Sequence, residues 1–252
     1  MKNGTVTQLA FLQQVPADTF ALLDVLRRDP ERSVPSCPGW NVMRLAGHVG
    51  RVHRMAAFVV QNRRDAPPGK EDIEAAPDDA QSTDEYLLRG LARLLETLRA
   101  TPADSPVWNM TGQQLTAGFW LRRTAHETAV HRADAQIAVG QPLSQIPSDV
   151  AIDGVDEFFE LMPSRVLNKH PDASLGGSLH LHATDGPGEW MIHLTDGQLR
   201  VEHGHGRGDA AIRGTGSDLL LGVWARVPFS GTQFERFGSD EVIANFAALG
   251  AF

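Results

Sequence analysis

Cysteine is nearly absent from this 252-residue chain: Cys37 stands alone, so no intramolecular disulfide can staple the fold. That points to a protein of a reducing, cytoplasmic compartment, held together by packing. Signal-peptide layout is missing as well, because Met1 to Pro16 has neither a charged-then-apolar order nor a small-residue cleavage site. No uninterrupted apolar run approaches the roughly 18 residues of a membrane span. The longest, such as Leu219 to Trp224, fall far short, so no membrane partner is expected. Positive charge is the minority: 23 Lys and Arg stand against 31 Asp and Glu, giving a formal charge of −8. Without a dense basic stripe there is nothing to hold a phosphate backbone, which excludes nucleic acid as the expected partner. Fixed-period repeats and low-complexity tracts are also absent.

What is present is ordinary for a globular protein. Hydrophobic residues make up 42% and charged residues 21%, enough to build a core and exclude disorder over most of the length. The length suggests one or two domains. The first part reads as four helices, over 8–28, 41–62, 82–99 and 116–139. Asn41 is a suitable N-cap for the second, whose Val42, Leu45, Val49, Val52, Ala56 and Val59 recur at helical spacing. Ser82 followed by Glu85 has capping-box spacing for the third. Gly140 and Pro142 close the fourth. Residues 63–81, rich in Pro, Asp and Ala, read as a surface loop.

After Pro147 the rhythm changes. A helix over 150–161 precedes strands over 178–184, 190–195, 198–203 and 210–213, with Asp196-Gly197 as a two-residue hairpin turn. Helices over 217–226 and 239–248 follow. The expected fold class is therefore α+β, with a helical bundle over 1–147 and a small α+β domain over 148–252.

Chemistry concentrates in the fourth helix. Glu127 and His131 are four residues apart, on one face, and can present a carboxylate oxygen and an imidazole nitrogen to one metal ion. His126 is rotated about 140° from His131 and is a poor partner. On the second helix His48 lies beside Leu45 and Val52, near the inward stripe, whereas His53 is rotated about 140° away. His48 is thus the better third ligand. Two histidines and a carboxylate from facing helices, with a position left open, suit a catalytic zinc ion; nickel or ferrous iron would accept the same donors. Helical spacing alone equally allows a surface pair or hydrogen-bonded core groups.

Cys37-Pro38-Gly39-Trp40-Asn41-Val42 with Leu45 and His48 forms a first motif. Phe119-Trp120-Leu121-Arg122-Arg123 running through His126-Glu127 to His131-Arg132-Ala133-Asp134-Ala135 forms a second. Together they resemble the mycothiol-dependent maleylpyruvate isomerase family. The resemblance implies a DinB-like metal-binding four-helix bundle with His48, Glu127 and His131 as metal ligands. It also implies a sterol-carrier-like C-terminal domain, similar here in Leu219-Leu220-Leu221 through Trp224 and Arg226. The implied cofactors are zinc, or another divalent metal, and the small thiol mycothiol, whose thiolate adds to the double bond of maleylpyruvate and leaves after rotation. Arg226 falls near the family's arginine for a substrate carboxylate. The alternatives are an S-transferase that passes the thiol to an electrophile, and a metal- and ligand-binding protein without turnover. The partners on either enzymatic reading are a small thiol and a small electrophilic substrate.

Other residues carry plainer expectations. Cys37 reads as a small buried hydrophobe. Trp40 and Trp120 read as core packing at helix ends. Of Arg122 and Arg123, one should form a surface or structural ion pair. Asp134 could orient His131 or face solvent. His180 and His182 share one strand face, with His193, His203 and His205 nearby in sequence. No carboxylate has ligand spacing to them, so they are expected to face water rather than hold a second metal.

Overall fold

The computed structural model describes residues 6–249, without the side chains of 162–165 and 169. Two compact units divide it, Thr7–Ser144 and the segment from Gln145 onward.

The first unit is helical. α1 (Gln8–Arg28) starts at Thr7, whose hydroxyl accepts the Ala10 N–H, and α2 (Val42–Gln61) starts at Asn41, which accepts the Arg44 N–H. α3 (Ala80–Ala100) begins two residues before Ser82. Asp79 takes the cap instead, accepting the Ser82 N–H at 2.9 Å, as a short carboxylate does well at a helix start. α4 (Ala117–Ala138) ends before Gly140, whose φ of +68° suits a residue without a Cβ. α2 packs against α3 and α4, and α1 packs against α4. Leu22, Leu26, Val42, Leu45, Val49 and Leu87 form one buried cluster among them. Scanning for uninterrupted apolar runs passes over α1, because Asp18 and Asp24 break it. By length and composition it could cross a membrane, yet half of its most apolar window is buried in this unit.

The interior is not wholly apolar. Arg132 on α4 is fully buried, and its Nε donates to Asp18 Oδ1 on α1 at 2.9 Å. Its Nη1 also donates to Gln136 Oε1 and to the Ser144 carbonyl, each at 2.8 Å, and Gln14 donates to Asp18 Oδ2 at 2.7 Å. A charge this deep is tolerated because hydrogen bonds at Nε and Nη1 replace most of its lost water, while Nη2 is buried without one among the described residues.

The second unit sets α5 (Ser148–Arg165) beside a five-stranded sheet. The strands are β1 (Ser178–Ala183), β2 (Glu189–Thr195), β3 (Gln198–His203), β4 (Ala210–Gly214) and β5 (Glu235–Gly238), in the order β3-β2-β1-β4-β5. β1 and β4 are parallel and every other pair is antiparallel. β5 escapes sequence reading because all four of its residues are exposed, so no apolar alternation marks it. Asp196 and Gly197 both take positive φ, 49° and 70°, the requirement of the tight hairpin turn. A Cβ on Gly197 would stand 2.2 Å from the Pro171 carbonyl oxygen.

α6 (Gly216–Val223) stops short of the expected 226, since Ala225 turns to φ 56°; α7 (Asp240–Leu249) closes the described chain. Leu179, Leu181, Trp190, Ile192, Leu194 and Ile212 are buried on one sheet face, and the Trp190 indole donates to Asp156 of α5 at 2.6 Å. The alternation of strand side chains sends His180, His182 and Glu189 to the other face.

Asp18→Ala would leave Arg132 buried without its carboxylate, a loss of about 3–5 kcal/mol of stability in the helical unit. Urea unfolding followed by circular dichroism measures it, and a loss below about 1 kcal/mol would contradict the analysis.

Candidate functional site

Helical spacing delivers the three expected residues to one point. His48 comes from α2 and Glu127 and His131 from successive turns of α4. His48 Nε2 lies 2.9 Å from Glu127 Oε1, and His131 Nε2 lies 3.1 Å from the same oxygen. The two imidazoles meet edge to face, with centroids 5.0 Å apart. Their potential donor atoms all fall within 4.8 Å of one another. The His48 side chain is 33% exposed while those of Glu127 and His131 are 14% and 11%, so solvent reaches the cluster from the α2 side.

Neighbours fix each member. Arg123, one turn before Glu127, pairs with Glu127 Oε2, which leaves Oε1 to the imidazoles. Asp134, fully buried, accepts from His131 Nδ1 at 2.8 Å and so directs Nε2 toward Glu127. The Ser36 hydroxyl donates to the other Asp134 oxygen at 2.6 Å, and the Cys37 sulfur lies 3.8 Å from Oδ2. Burial pulls the His131 imidazole down, but its bonds to Asp134 and Cys37 outweigh that and raise its pKa above the ordinary value. The donor set, two imidazoles and one carboxylate, fits a borderline metal and leaves a fourth position open.

Several sequence expectations change here. Asp134 faces inward. Arg123 is 4% exposed, and its ion pair lies within the site rather than on the surface; the 123-to-127 spacing was the signal. Cys37 is half-buried and sits at the edge of the core, with its sulfur toward Asp134. Trp40 does more than fill a helix end, since its ring packs on His48 at 5.0 Å and on His131 at 6.5 Å. It also lines a groove of about 910 Å³ with Asn41, Met43, Arg44 and Gly47, which does not include the three clustered residues. Trp120 is core, as expected, and donates its indole N–H to the Trp108 carbonyl at 2.7 Å. His126 is fully buried against Phe11, on another side of α4. Arg226 belongs to the second unit, half-buried just after α6, and donates to the Trp224 carbonyl at 2.7 Å.

Comparison with known proteins gives two family profiles. The mycothiol maleylpyruvate isomerase N-terminal domain matches residues 12–136, and the MDMPI C-terminal domain matches residues 149–245. Among solved structures, a His-to-Ala variant of the mycothiol-dependent maleylpyruvate isomerase aligns with a TM-score of 0.65 at 13% identity, covering 92% of this chain and 93% of that one. A second crystal structure of the mycothiol-dependent maleylpyruvate isomerase gives 0.60 at 12% identity, with the same coverage. At such identities the likeness speaks for the fold. No curated protein sequence matches the chain.

His53, expected away from the interior, is instead completely buried. Its Nε2 lies 2.9 Å from the Thr128 oxygen, and Thr128 gives its own proton to the Thr124 carbonyl. Nε2 is therefore the protonated nitrogen. Burial first, and Arg54 second, lower its pKa from 6.5 to about 3. The folded state keeps His53 neutral while the unfolded chain protonates it near 6.5, so the stabilisation is complete above that pH and lost toward about pH 3. The expected loss is about 1.4 kcal/mol per pH unit inside that window. Urea unfolding of the wild type and His53→Gln between about pH 7 and about pH 4 should show the wild type losing stability faster. Parallel curves would refute the assignment.

Proposed function

The chain belongs to the mycothiol maleylpyruvate isomerase family of enzymes, and from that premise we propose that it catalyses cis–trans isomerisation of a maleylpyruvate-like unsaturated diacid, using mycothiol and a zinc-type metal held by His48, Glu127 and His131. The observation that carries this reading is the convergence of two imidazole Nε2 atoms from different helices on one carboxylate oxygen. A bound zinc-type dication supplies a positive charge that keeps a coordinated thiol deprotonated near neutral pH.

The remaining work falls to side chains. His48 and His131 contribute neutral imidazole nitrogens and Glu127 contributes Oε1. Asp134 holds the His131 proton at Nδ1, away from the ligating nitrogen. Arg123 keeps the Glu127 carboxylate in one orientation. Trp40 packs its ring against the His48 ring and helps to hold its orientation. A dicarboxylate needs a cation partner, and Arg226 is the residue we assign to it, because a guanidinium matches a carboxylate with two parallel N–H bonds. The working compartment in this reading is the cytoplasm, where Cys37 stays a thiol.

Metal content per chain, measured on purified protein, should fall in His48→Ala and in His131→Ala while the helical circular dichroism signal is kept. Full metal occupancy in both variants would overturn the ligand assignment. The metal-loaded wild type should bind mycothiol and not glutathione. Incubation with maleylpyruvate should then yield fumarylpyruvate with the thiol recovered, whereas a stable thioether product would indicate an S-transferase. Arg226→Ala should raise KM for the diacid by about tenfold or more and leave metal content unchanged.

A further inference from the structure

The open face of the sheet carries a second convergence of ligand-type groups, independent of the bundle and of the reading above. His180 and His182 stand two residues apart on β1, on the same face. The antiparallel register sets Glu189 of β2 directly opposite His182. Reading spacing along one strand cannot find this carboxylate, because it returns through the turn at 184–188 and is near only across the ladder. The chain after β3 then folds back. The Gly204 N–H donates to the Glu189 carbonyl at 3.1 Å, and His205 follows it over the sheet. Gly208 makes the return possible, since a Cβ there would press on the Ala210 carbonyl oxygen at 2.6 Å and the His180 backbone nitrogen at 3.1 Å.

One carboxylate consequently faces three imidazoles. His182 Nδ1 is 2.9 Å from Glu189 Oε1, while His205 Nδ1 and His180 Nε2 are 3.2 Å and 3.6 Å from Oε2. All four donors lie within 4.8 Å of one another. His180 Nε2 and Glu189 Oε2 are buried, and neither makes a hydrogen bond of good geometry among the described residues. Two facing polar atoms left this way are costly, and an ion between them would satisfy both. Tetrahedral ligands at zinc distances stand about 3.3 Å apart, close to the three imidazole-to-carboxylate distances. Arg213, beside His182 in the β1–β4 ladder, is the nearest opposing cation by register, and it is paired with Glu235 at 3.1 Å.

We propose that His180, His182, Glu189 and His205 form a second, structural site for a zinc-class dication, which clasps the 204–209 loop to β1 and β2. Four protein donors leave no open position, so the site holds the loop and does no chemistry. His193 and His203 are not members. His193 stands across from Ser178, and His203 lies 3.7 Å from Asp156 on the other face.

The test uses untagged full-length protein, stripped with chelator, reloaded with excess zinc chloride and desalted before metal counting. Wild type should retain one zinc per chain more than either His205→Ala or Glu189→Gln. The same difference should appear when the variants are made in a His48→Ala background, so failure of the bundle assignment does not enter the count. His205 is an exposed loop residue, and its replacement should leave the fold intact by circular dichroism. Zinc should raise the melting temperature of the wild type by several degrees more than that of His205→Ala. Equal zinc counts in wild type and His205→Ala would overturn the site.

Discussion

The carboxylate of Glu127 is shared between two helices, and the arrangement of the bundle's polar interior follows from that sharing. One oxygen faces His48 of α2 and His131 of α4; the other is claimed by Arg123. A part-buried carboxylate so surrounded must be balanced. Arg123 and the imidazoles supply that balance from one side, and Asp134 fixes His131 from the other. The crossing of α2 over α4 is thereby tied to chemistry as well as to the leucine and valine packing between them.

α4 carries a disproportionate share of this polarity. Arg123, His126, His131, Arg132 and Asp134 are all buried along it, and each of its faces meets another part of the unit. Such a helix shows little of the two-faced pattern that marks α2. The buried polar residues do two jobs on different sides: Arg132 locks α1 through Asp18, and His131 with Glu127 builds the cluster at α2. Placing both on one helix lets the ion pair that orders the bundle also hold the cluster in register.

How far the sequence could be read follows the range of each interaction. The four helices and the pairing of Glu127 with His131 were legible because turn-by-turn spacing reports them directly, His48 stood out by its place beside the inward stripe of α2, and the family resemblance, not the spacing, joined the three as ligands. Arg123 was within the same reach at four residues from Glu127, but its adjacency to Arg122 hid which one turned inward. Trp40 and Cys37 belong to a loop, where no period predicts direction. His53 was misjudged because the buried part of α2 is wider than a single stripe, with α3 and α4 on different sides. The start of α3 turned on a choice between Ser82 and Asp79 as cap. In the second unit the hairpin at Asp196-Gly197 announced itself, whereas β5 is exposed throughout and Glu189 meets His182 only through strand register. Local periodicities are written in sequence; cross-strand neighbours are written in topology.

The central claim is that the bundle cluster holds a metal with a position open to a thiol. Zinc-edge X-ray absorption on zinc-loaded His205→Ala protein, with and without mycothiol, tests it most directly. The account predicts a shell of nitrogen and oxygen at about 2.0–2.1 Å that gains a sulfur scatterer at about 2.3 Å when mycothiol is added. A shell that mycothiol leaves unchanged would contradict it.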